Sequence, residues 1–270
     1  MSVSTGTNLE LACLDGSIAP AGETLLPVTD DGFIRGDGVF EVIRVYHGQA
    51  FALDAHFDRM ERSAANLRLG WEVPRSRLGA EAAELLEARG AGAFDGCLRI
   101  VLTRGGRRLL LTEPVPQGPA RPRLGFVTYA PTRVLDGIKS LSYAGNMLCG
   151  RLARERGFDE ALMVTPHGRV LEAPTSTIFW VGADGRLATP PLDDHILASI
   201  TRQLVLDLVG ADERSLTVDE LLSAGEAFLA STTREVQSLA GVEGTEWPEP
   251  GPRTLEAAAA VRDHIAGTRV

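Results

Sequence analysis

The segment from Thr112 to Pro122 constrains the fold more than any other part of this sequence. It reads TEPVPQGPARP, with four prolines in eleven residues. Proline fixes φ and lacks a backbone N–H, so this segment cannot form a helix interior or a central strand. A chain of 270 residues can fill one large domain or two modest ones. We therefore predict a small N-terminal α/β domain at residues 1–115, an interdomain linker at 116–130 and a larger domain at 131–270.

Apolar patterning predicts strands and helices on both sides of this linker. Runs of β-branched or alternating apolar residues indicate strands at 38–46 and 96–103. Helical spacing and capping signals predict helices at 54–69, 76–89, 144–156, 201–209 and 252–266. Ser199 or Thr201 is suited to cap the helix at 201–209, and Thr217 with Glu220 fits a capping box. The mixture predicts an α/β (α+β) protein whose two domains flank a ligand-binding cleft.

The overall charge excludes some classes of partner. The formal net charge is −9 and the sequence pI is about 5.1, so the chain lacks the basic character that neutralises nucleic-acid phosphates. No window approaches the roughly 18 uninterrupted apolar residues of a membrane span, and the first residues do not resemble a signal peptide. These observations predict a cytoplasmic protein with neither a nucleic-acid nor a membrane partner.

The cysteines point to no metal or disulfide framework. Cys13, Cys97 and Cys149 are odd in number and share no metal-ligand spacing. We predict that they are free buried thiols.

Lys139 is the only lysine in the sequence, which contains 26 arginines. An arginine cannot lose its proton in a protein, whereas a lysine amine can do so and then attack a carbonyl to form a Schiff base. A position that has kept lysine therefore indicates amine chemistry. The alternative is a compositional drift toward arginine that left one lysine by chance, and the motifs around Lys139 favour the chemical explanation.

Five motifs in a fixed order include or flank this lysine. They are His56-Phe-Asp-Arg59, Lys139-Ser-Leu-Ser-Tyr143, Glu172-Ala-Pro-Thr-Ser-Thr177, Leu197-Ala-Ser-Ile200-Thr201-Arg202 and Ser231-Thr232-Thr233-Arg234-Glu235. In this order and spacing they resemble the motifs of the fold-type IV pyridoxal-phosphate enzymes, the class IV aminotransferase family. The resemblance covers residues 28–240. The family includes D-amino-acid transaminases, branched-chain transaminases and aminodeoxychorismate lyases.

The resemblance implies a pyridoxal 5'-phosphate cofactor and assigns roles around its ring. Lys139 would bind the cofactor aldehyde covalently and then move a proton between the substrate α-carbon and the cofactor. Tyr143 would hydrogen-bond the cofactor phenolic oxygen, and Leu197 would pack on a face of the ring. Glu172 would keep the pyridine nitrogen protonated, which makes the ring an electron sink.

Further residues are implied to hold the cofactor phosphate. Arg59 resembles the phosphate arginine of the family, and its guanidinium matches phosphate oxygens in geometry. Ile200 and Thr201 would present backbone N–H groups at a helix N-terminus, where anions bind. Ser231 and Thr232 would add hydroxyl or amide donors from a second loop.

Two motifs favour a D-amino-acid transaminase within this family. The stretch GDGVFEVIRVYHG at 36–48 and the run Ser-Thr-Thr at 231–233 are nearer to the D-specific enzymes. Val42 stands where lyases of the family commonly carry threonine and where branched-chain enzymes carry glycine. The resemblance therefore implies ping-pong transfer of an amino group between a D-amino acid and a 2-oxo acid. Aminodeoxychorismate lyase, branched-chain L-amino-acid transaminase and a cofactor-binding module without turnover are the alternatives.

The residues implied to bind the substrate depart from the D-specific pattern. Phe33 stands where those enzymes usually have tyrosine, and the loop at 103–109 lacks their arginine-x-histidine pair. Arg35, Arg107 and Arg108 can supply the positive charge that a substrate carboxylate needs. The alternative for these three residues is that they are solvated loop arginines.

The resemblance also implies a homodimer. Phe33, Arg35 and the loop at 104–108 would then reach the active site of the neighbouring subunit. Thr233 is a further candidate for substrate binding.

Overall fold

The computed structural model of this chain describes residues 10–268. These residues form two compact units. The first unit consists of the described residues up to Pro116 together with Ile138–Ser142, and the second consists of Gln117–Gly137 together with the described residues from Tyr143 onward. Residues 1–9, which hold most of the stretch assessed for a signal peptide, and residues 269–270 lie outside the described part of the chain. The division into domains at 1–115 and 131–270 stays a prediction.

The described part of the first unit contains one antiparallel sheet of six strands in the order β2-β1-β6-β5-β3-β4. The strands are β1 Leu11–Leu14, β2 Ser17–Pro20, β3 Gly38–Tyr46, β4 Gln49–Ala50, β5 Gly96–Thr103 and β6 Arg108–Glu113. The α-helices are α1 Asp31–Arg35, α2 Leu53–Asn66 and α3 Arg75–Ala88, and short 3₁₀ turns occupy Ala21–Glu23 and Ala91–Ala93. β3 and β5 have the bounds that the apolar patterning predicts, and α2 and α3 begin one residue before their predicted starts.

The core of the first unit lies between the six-stranded sheet and the helices α2 and α3. Val39 and Ile43 on β3 belong to one buried cluster with Phe57 and Met60 of α2. Because side chains alternate along a strand, Glu41 lies on this same apolar face. A carboxylate at that position must find buried partners, since an unpaired charge in a core is costly.

The segment around Lys139 extends the sheet beside β3. The backbone carbonyl of Lys139 accepts the N–H of Phe40 at 3.1 Å, and the N–H of Leu141 donates to the carbonyl of Gly38 at 2.9 Å. Lys139 therefore belongs to the first unit, whereas the sequence prediction placed it in the domain at 131–270. The prediction differs because this pairing joins residues about a hundred positions apart, which local sequence patterns do not encode.

The second unit contains two sheets. Their strands are β7 Arg123–Thr128, β8 Glu160–Val164, β9 Arg169–Val170, β10 Thr177–Val181, β11 Leu187–Thr189, β12 Asp212–Glu213, β13 Leu216–Thr217, β14 Glu226–Ser231, β15 Glu235–Ser238, β16 Gly241–Val242 and β17 Thr245–Glu246. One sheet has the strand order β12-β11-β10-β14-β15, and the other has the order β13-β9-β8-β7-β16-β17. The α-helices are α4 Ala144–Glu155, α5 Ile200–Val209, α6 Val218–Leu222 and α7 Pro252–Gly267, with 3₁₀ turns at Arg133–Leu135 and Leu192–Asp194. None of the helices in the described part of the chain is long and apolar enough to cross a membrane.

The linker predicted at 116–130 is shorter in the structure. β7 begins at Arg123, directly after the last proline of the segment, and pairs in parallel with β8. Its sequence, RLGFVT, contains apolar residues that enter the core of the second unit, and Leu124 is fully buried. Pro122, the last proline of this segment, is therefore also the last residue of the irregular stretch between β6 and β7. The mixed α/β character predicted from the sequence is confirmed.

The three cysteines are buried free thiols, as the sequence predicts. Burial raises the pKa of the Cys97 thiol to about 11. This thiol is therefore protonated and unreactive at neutral pH.

Candidate active site

The inward face of α2 carries a polar stripe. His56, Arg59 and Ser63 follow helical spacing, and all three are buried. They lie among the apolar residues with which α2 covers the sheet. Buried polar groups of this kind are retained where their partners satisfy them.

Glu41 is the partner of two of these residues. Its Oε1 accepts the Nε–H of Arg59 at 2.7 Å, and its Oε2 accepts Nη2–H of the same guanidinium at 2.5 Å. His56 Nδ1 lies 2.8 Å from Oε2. Because an ionised carboxylate only accepts hydrogen bonds, Nδ1 must carry the hydrogen, and neutral His56 has its lone pair on Nε2. Arg59 is thereby held through a bidentate contact, and its guanidinium cannot rotate without breaking it.

The protonation states in this cluster follow from burial and charge. Burial by itself raises the pKa of Glu41, but the charge and hydrogen bonds of Arg59, assisted by His56, outweigh it and bring that pKa to about 2. Burial lowers the pKa of His56, and its hydrogen bond to Glu41 opposes this effect only in part. At neutral pH the cluster consists of an ionised Glu41, a charged Arg59 and a neutral His56.

Lys139 is held next to the same helix. Its backbone N–H donates to the Ser63 hydroxyl at 3.2 Å, one helical turn beyond Arg59. Its Nζ lies 4.4 Å from the centre of the Phe40 ring, and a cation over an aromatic face is stabilised there. The first unit therefore brings together two of the residues that the sequence predicted to act on one cofactor, Lys139 and Arg59.

Tyr143 lies at the start of α4 in the second unit and is half-buried. Its hydroxyl donates to the backbone carbonyl of Pro174. The side-chain amide of Asn146, on the same helix, donates to this carbonyl at 3.2 Å. The loop that follows Glu172 is thus tied to α4 by two side chains.

Glu172 lies two residues beyond β9, and its carboxylate faces the loop before α5. The backbone N–H of Leu197 donates to the two carboxylate oxygens at 3.3 and 3.4 Å. Glu172 and Leu197 are 25 residues apart in the sequence, so the fold brings these two predicted site residues together.

The N-terminus of α5 is built as an anion-binding end. Ser199 is the N-cap, and its hydroxyl accepts the N–H of Arg202 at 3.2 Å. Ile200 and Thr201 are the first two residues of this ten-residue helix, and Thr201 is buried. Their backbone N–H groups have no partners within the helix, and the helix dipole makes this end positive.

Ser231 is the last residue of β14, and Thr232 and Thr233 begin the turn that leads to β15. Ser231 is buried, and its hydroxyl has no hydrogen-bond partner among residues 10–268. Thr232 and Thr233 are half-buried. A buried hydroxyl without a partner is unusual in a native protein and is suited to receive a ligand.

The arginines predicted to bind substrate each pair with a carboxylate of the first unit. Arg35 contacts Asp31, Arg107 contacts Asp15 at 2.7 Å, and Arg108 contacts Glu81 at 2.7 Å. The Arg35 and Arg107 side chains are 66% and 44% exposed, whereas Arg108 is only 12% exposed. Phe33, on the same short helix as Arg35, is 68% exposed. Arg108 is thus committed to Glu81, and the other two keep access to solvent.

The sequence motifs missed two groups that hold site residues in place. Glu41 lies on the inward face of β3, where its neighbours Val39 and Ile43 are apolar. A carboxylate at such a position is the sequence feature that could have identified it. Ser63 gave no signal, because a serine on a helix face is usually solvated.

Comparison with known proteins places these features in a family. Residues 38–242 match the model of the family described as Amino-transferase class IV. D-alanine aminotransferase of Bacillus licheniformis is 31% identical over 93% of this chain and 95% of its own length. A putative branched-chain-amino-acid aminotransferase of Methanocaldococcus jannaschii is 30% identical over 86% and 87%. A bifunctional aminodeoxychorismate lyase / D-amino acid transaminase of Mycobacterium tuberculosis is 30% identical over 87% and 92%.

A solved structure shares the fold. It is described as a hypothetical aminotransferase from Mycobacterium tuberculosis in its PLP-bound form, and it has a TM-score of 0.84 and 28% identity. The match covers 96% of this chain and 99% of that one. Both the fold and the family are therefore shared over nearly the whole described chain.

Proposed function

Because the chain belongs to the class IV aminotransferase family, a family of pyridoxal-phosphate enzymes, we propose that it transfers an amino group between a D-amino acid and a 2-oxo acid. The single observation that carries this proposal is the setting of Lys139. The only lysine of the chain is held by its backbone beside the stripe on α2 that contains Arg59. The D-preference rests on the stretch at 36–48 and on the Ser-Thr-Thr run at 231–233, and the D-alanine aminotransferase relative supports it.

Groups in each unit fit the family's cofactor, pyridoxal 5'-phosphate. The first unit offers an amine at Lys139 for the aldehyde and a buried guanidinium at Arg59 for the phosphate. The second offers the positive end of α5 and the buried Ser231 hydroxyl, which is unpartnered within residues 10–268. When bound, the cofactor supplies a conjugated ring that accepts electrons from the substrate α-carbon.

Lys139 is proposed to perform the proton transfers. As a free amine, its Nζ takes the proton from the substrate α-carbon and later delivers a proton during formation of the amino product. The Phe40 ring lies beneath Nζ and stabilises its ammonium form between these two events. The strand pairing of its backbone fixes the point from which the side chain extends.

Glu172 is proposed to hold the proton on the pyridine nitrogen. Its carboxylate is kept in position by the backbone N–H of Leu197, whose side chain is proposed to cover a face of the ring. Tyr143 is proposed to hydrogen-bond the cofactor phenolic oxygen. Its hydroxyl contact with the Pro174 carbonyl fixes the direction of the phenol.

The cofactor phosphate is proposed to bind Arg59 and the donors of two loops. Ile200 and Thr201 contribute backbone N–H groups, and Ser231 and Thr232 contribute hydroxyl or amide donors. A bidentate guanidinium and a helix N-terminus are both matched to a phosphate dianion. These roles extend the sequence-based predictions residue by residue.

Substrate recognition is proposed to involve Phe33, Arg35, Arg107 and Thr233. The side chains of Arg35 and Arg107 retain access to solvent. They are suited to bind the carboxylate of a substrate held in the active site of the neighbouring subunit of a homodimer. Arg108 is the remaining arginine predicted to bind substrate. Because its guanidinium is held by Glu81, it is proposed to fix the conformation of the loop at 104–108. The homodimer and the cytoplasmic location stay predictions.

Aminodeoxychorismate lyase is the second candidate function. The relative from Mycobacterium tuberculosis, named as both a lyase and a D-amino acid transaminase, favours it. Against it, Val42 provides no hydroxyl where the lyases commonly have one. Branched-chain transamination is the third candidate and is supported by the relative from Methanocaldococcus jannaschii.

One experiment separates these functions. The purified holoenzyme is incubated separately with D-alanine, D-glutamate, L-leucine and aminodeoxychorismate while the cofactor absorption spectrum is followed. Conversion to the amine form by the D-amino acids alone is the expected result. Conversion by L-leucine alone would overturn the proposal in favour of a branched-chain enzyme. Release of pyruvate and aminobenzoate without net amino transfer would establish the lyase.

A further inference from the structure

Three charged or polar groups occupy the apolar interface between β3 and α2. Glu41 is 1% exposed, His56 is fully buried and Arg59 is 5% exposed. Around them lie Phe57 and Met60 and the other apolar residues of the same cluster. An ion pair at such a position is costly, and well-packed apolar side chains often stabilise as well or better. Its presence in a core that is otherwise apolar therefore points to a role beyond packing.

We propose that Glu41 is a positioning residue that fixes the guanidinium of Arg59 for the phosphate of the cofactor. This inference rests on the proposed function, in which Arg59 binds that phosphate. Glu41 does not itself touch the cofactor in this proposal. It acts by holding one edge of the guanidinium so that another edge is presented in a single orientation.

The contacts of the carboxylate support this role. Oε1 and Oε2 accept from Nε and Nη2, the two nitrogens along one side of the guanidinium. Oε2 also accepts from His56 Nδ1, so the carboxylate is itself held from a second direction. A long arginine side chain normally loses much rotational freedom when it binds a ligand. Here that freedom is already lost in the folded protein, and phosphate binding does not have to remove it.

The substitution Glu41→Gln removes this arrangement without changing the volume of the side chain. The amide nitrogen is a hydrogen-bond donor, and Glu41 is surrounded by the donors Nε, Nη2 and Nδ1. Whichever way the amide is turned, its NH₂ group faces at least one donor of Arg59 or His56. The guanidinium must turn away from that contact, although its own charge is retained.

The test compares two aldehydes, pyridoxal 5'-phosphate and pyridoxal. Both bind Lys139 in the same way, so the ratio of their dissociation constants reports the phosphate contacts alone. The ratio is measured by absorbance titration of full-length apoprotein for wild type, Glu41→Gln, Arg59→Met and the double variant. We expect Glu41→Gln to weaken pyridoxal 5'-phosphate about tenfold, at the lower end of what orienting partners contribute elsewhere, with pyridoxal unchanged.

Glu81→Gln is the matched control. Glu81 is a similarly buried carboxylate of the first unit and forms a comparable contact with an arginine, Arg108. Its loss should lower the melting temperature as Glu41→Gln does, while the ratio of the two dissociation constants stays at the wild-type value. A purely structural role for Glu41 predicts the same pattern for both variants.

The outcomes separate the inference from the function on which it rests. If Arg59→Met raises the ratio of the pyridoxal 5'-phosphate dissociation constant to that of pyridoxal, and Glu41→Gln leaves this ratio at the wild-type value, the positioning role is wrong and the function of Arg59 stands. If Arg59→Met leaves the ratio unchanged, the phosphate role of Arg59 is wrong, and the inference falls with it. If the double variant is no weaker than Arg59→Met, Glu41 acts through Arg59, as proposed.

A second variant covers the case in which Glu41→Gln does not fold. Glu41→Asp keeps the buried charge but is one methylene shorter, so it cannot reach Nε and Nη2 together. We expect this variant to fold and to weaken pyridoxal 5'-phosphate relative to pyridoxal. An unchanged ratio for Glu41→Asp would also overturn the positioning role.

Discussion

The Ser63 hydroxyl accepts the backbone N–H of Lys139 at 3.2 Å. The contact uses a backbone atom of the lysine, as does the hydrogen bond between the Lys139 carbonyl and the N–H of Phe40. The position of residue 139 is therefore set independently of its side chain. Substitutions at this position can remove the amine and leave the strand in place.

Lys139→Arg tests the amine chemistry directly. The variant keeps a positive charge and the backbone contacts, but a guanidinium neither binds an aldehyde covalently nor gives up a proton at neutral pH. We expect the rate of amino transfer to fall at least about 10³-fold, within the range attributed to proton-transfer groups. Single-turnover spectra with D-alanine measure this loss. Substantial turnover by this variant would contradict the mechanism, and an unchanged melting temperature would show that the fold is intact.

Glu172→Gln should impair catalysis more than cofactor binding. The amide oxygen can still accept the Leu197 N–H, but a neutral amide does not hold a proton on the pyridine nitrogen. We expect kcat to fall by about 10²- to 10³-fold, comparable with the loss of one electrostatic contact at a reacting centre, while cofactor affinity changes little.

Glu243→Gln is the control for Glu172→Gln. It changes a half-buried carboxylate that pairs with Arg156 and accepts the backbone N–H of Phe126 in the same unit, and its kcat should match wild type. Equal losses of kcat and cofactor affinity in Glu172→Gln would argue that Glu172 acts only in binding.

Acid should destabilise the protein in two stages. Burial lowers the pKa of His56 from its ordinary value of 6.5. As pH drops below about 6.5, His56 is therefore protonated in the unfolded chain but stays neutral in the folded chain, and the free energy of unfolding falls. The pKa of Glu41 is lowered to about 2 from 4.5, so its contribution is complete above pH 4.5 and is lost as pH falls toward 2. The second stage amounts to about 3 kcal/mol.

Urea unfolding between pH 2 and pH 8 measures both stages. In Glu41→Gln the decline below pH 4.5 should be much smaller than in wild type. An identical decline in the two proteins would show that other carboxylates cause the acid sensitivity.

Ser199→Ala should weaken both α5 and the phosphate site. The substitution removes the acceptor for the Arg202 N–H, and the loss of an N-cap costs about 1 kcal/mol. Thr217→Ala removes a matching cap, since the Thr217 hydroxyl accepts the Glu220 N–H at the start of α6. We expect similar losses in the free energy of unfolding for both variants, but weaker pyridoxal 5'-phosphate binding only for Ser199→Ala. Equal affinities in both would remove α5 from the proposed phosphate site.

Local elements of the fold were predictable because their signals are local. The strands at 38–46 and 96–103 follow from β-branched and alternating apolar residues, and their bounds match the structure. Ser199 and Thr217 serve as N-caps, the role that their hydroxyls suit. The residues around the amine chemistry were identified because their motifs resemble those of the class IV aminotransferase family, and their roles stay predictions.

Long-range partners could not be predicted in the same way. Arg107 and Asp15 are 92 residues apart, and no feature of the loop indicates that the arginine already has a carboxylate partner. Glu41 and Arg59 are 18 residues apart on a strand and a helix, so their contact depends on how α2 crosses the sheet. These contacts arise from tertiary packing. Packing therefore also determines which arginines are already paired with a carboxylate and which can still bind a substrate.

Two separate segments of the chain form the first unit. The chain leaves that unit after Pro116, returns for Ile138–Ser142 and leaves again at Tyr143. The amine on which the proposed chemistry depends sits in the five-residue return. No single break in the polypeptide can therefore yield two self-sufficient halves, because a fragment ending at Pro116 has lost its only lysine. Recombining the units of such proteins, by evolution or by an engineer, requires three junctions to be kept in register at once.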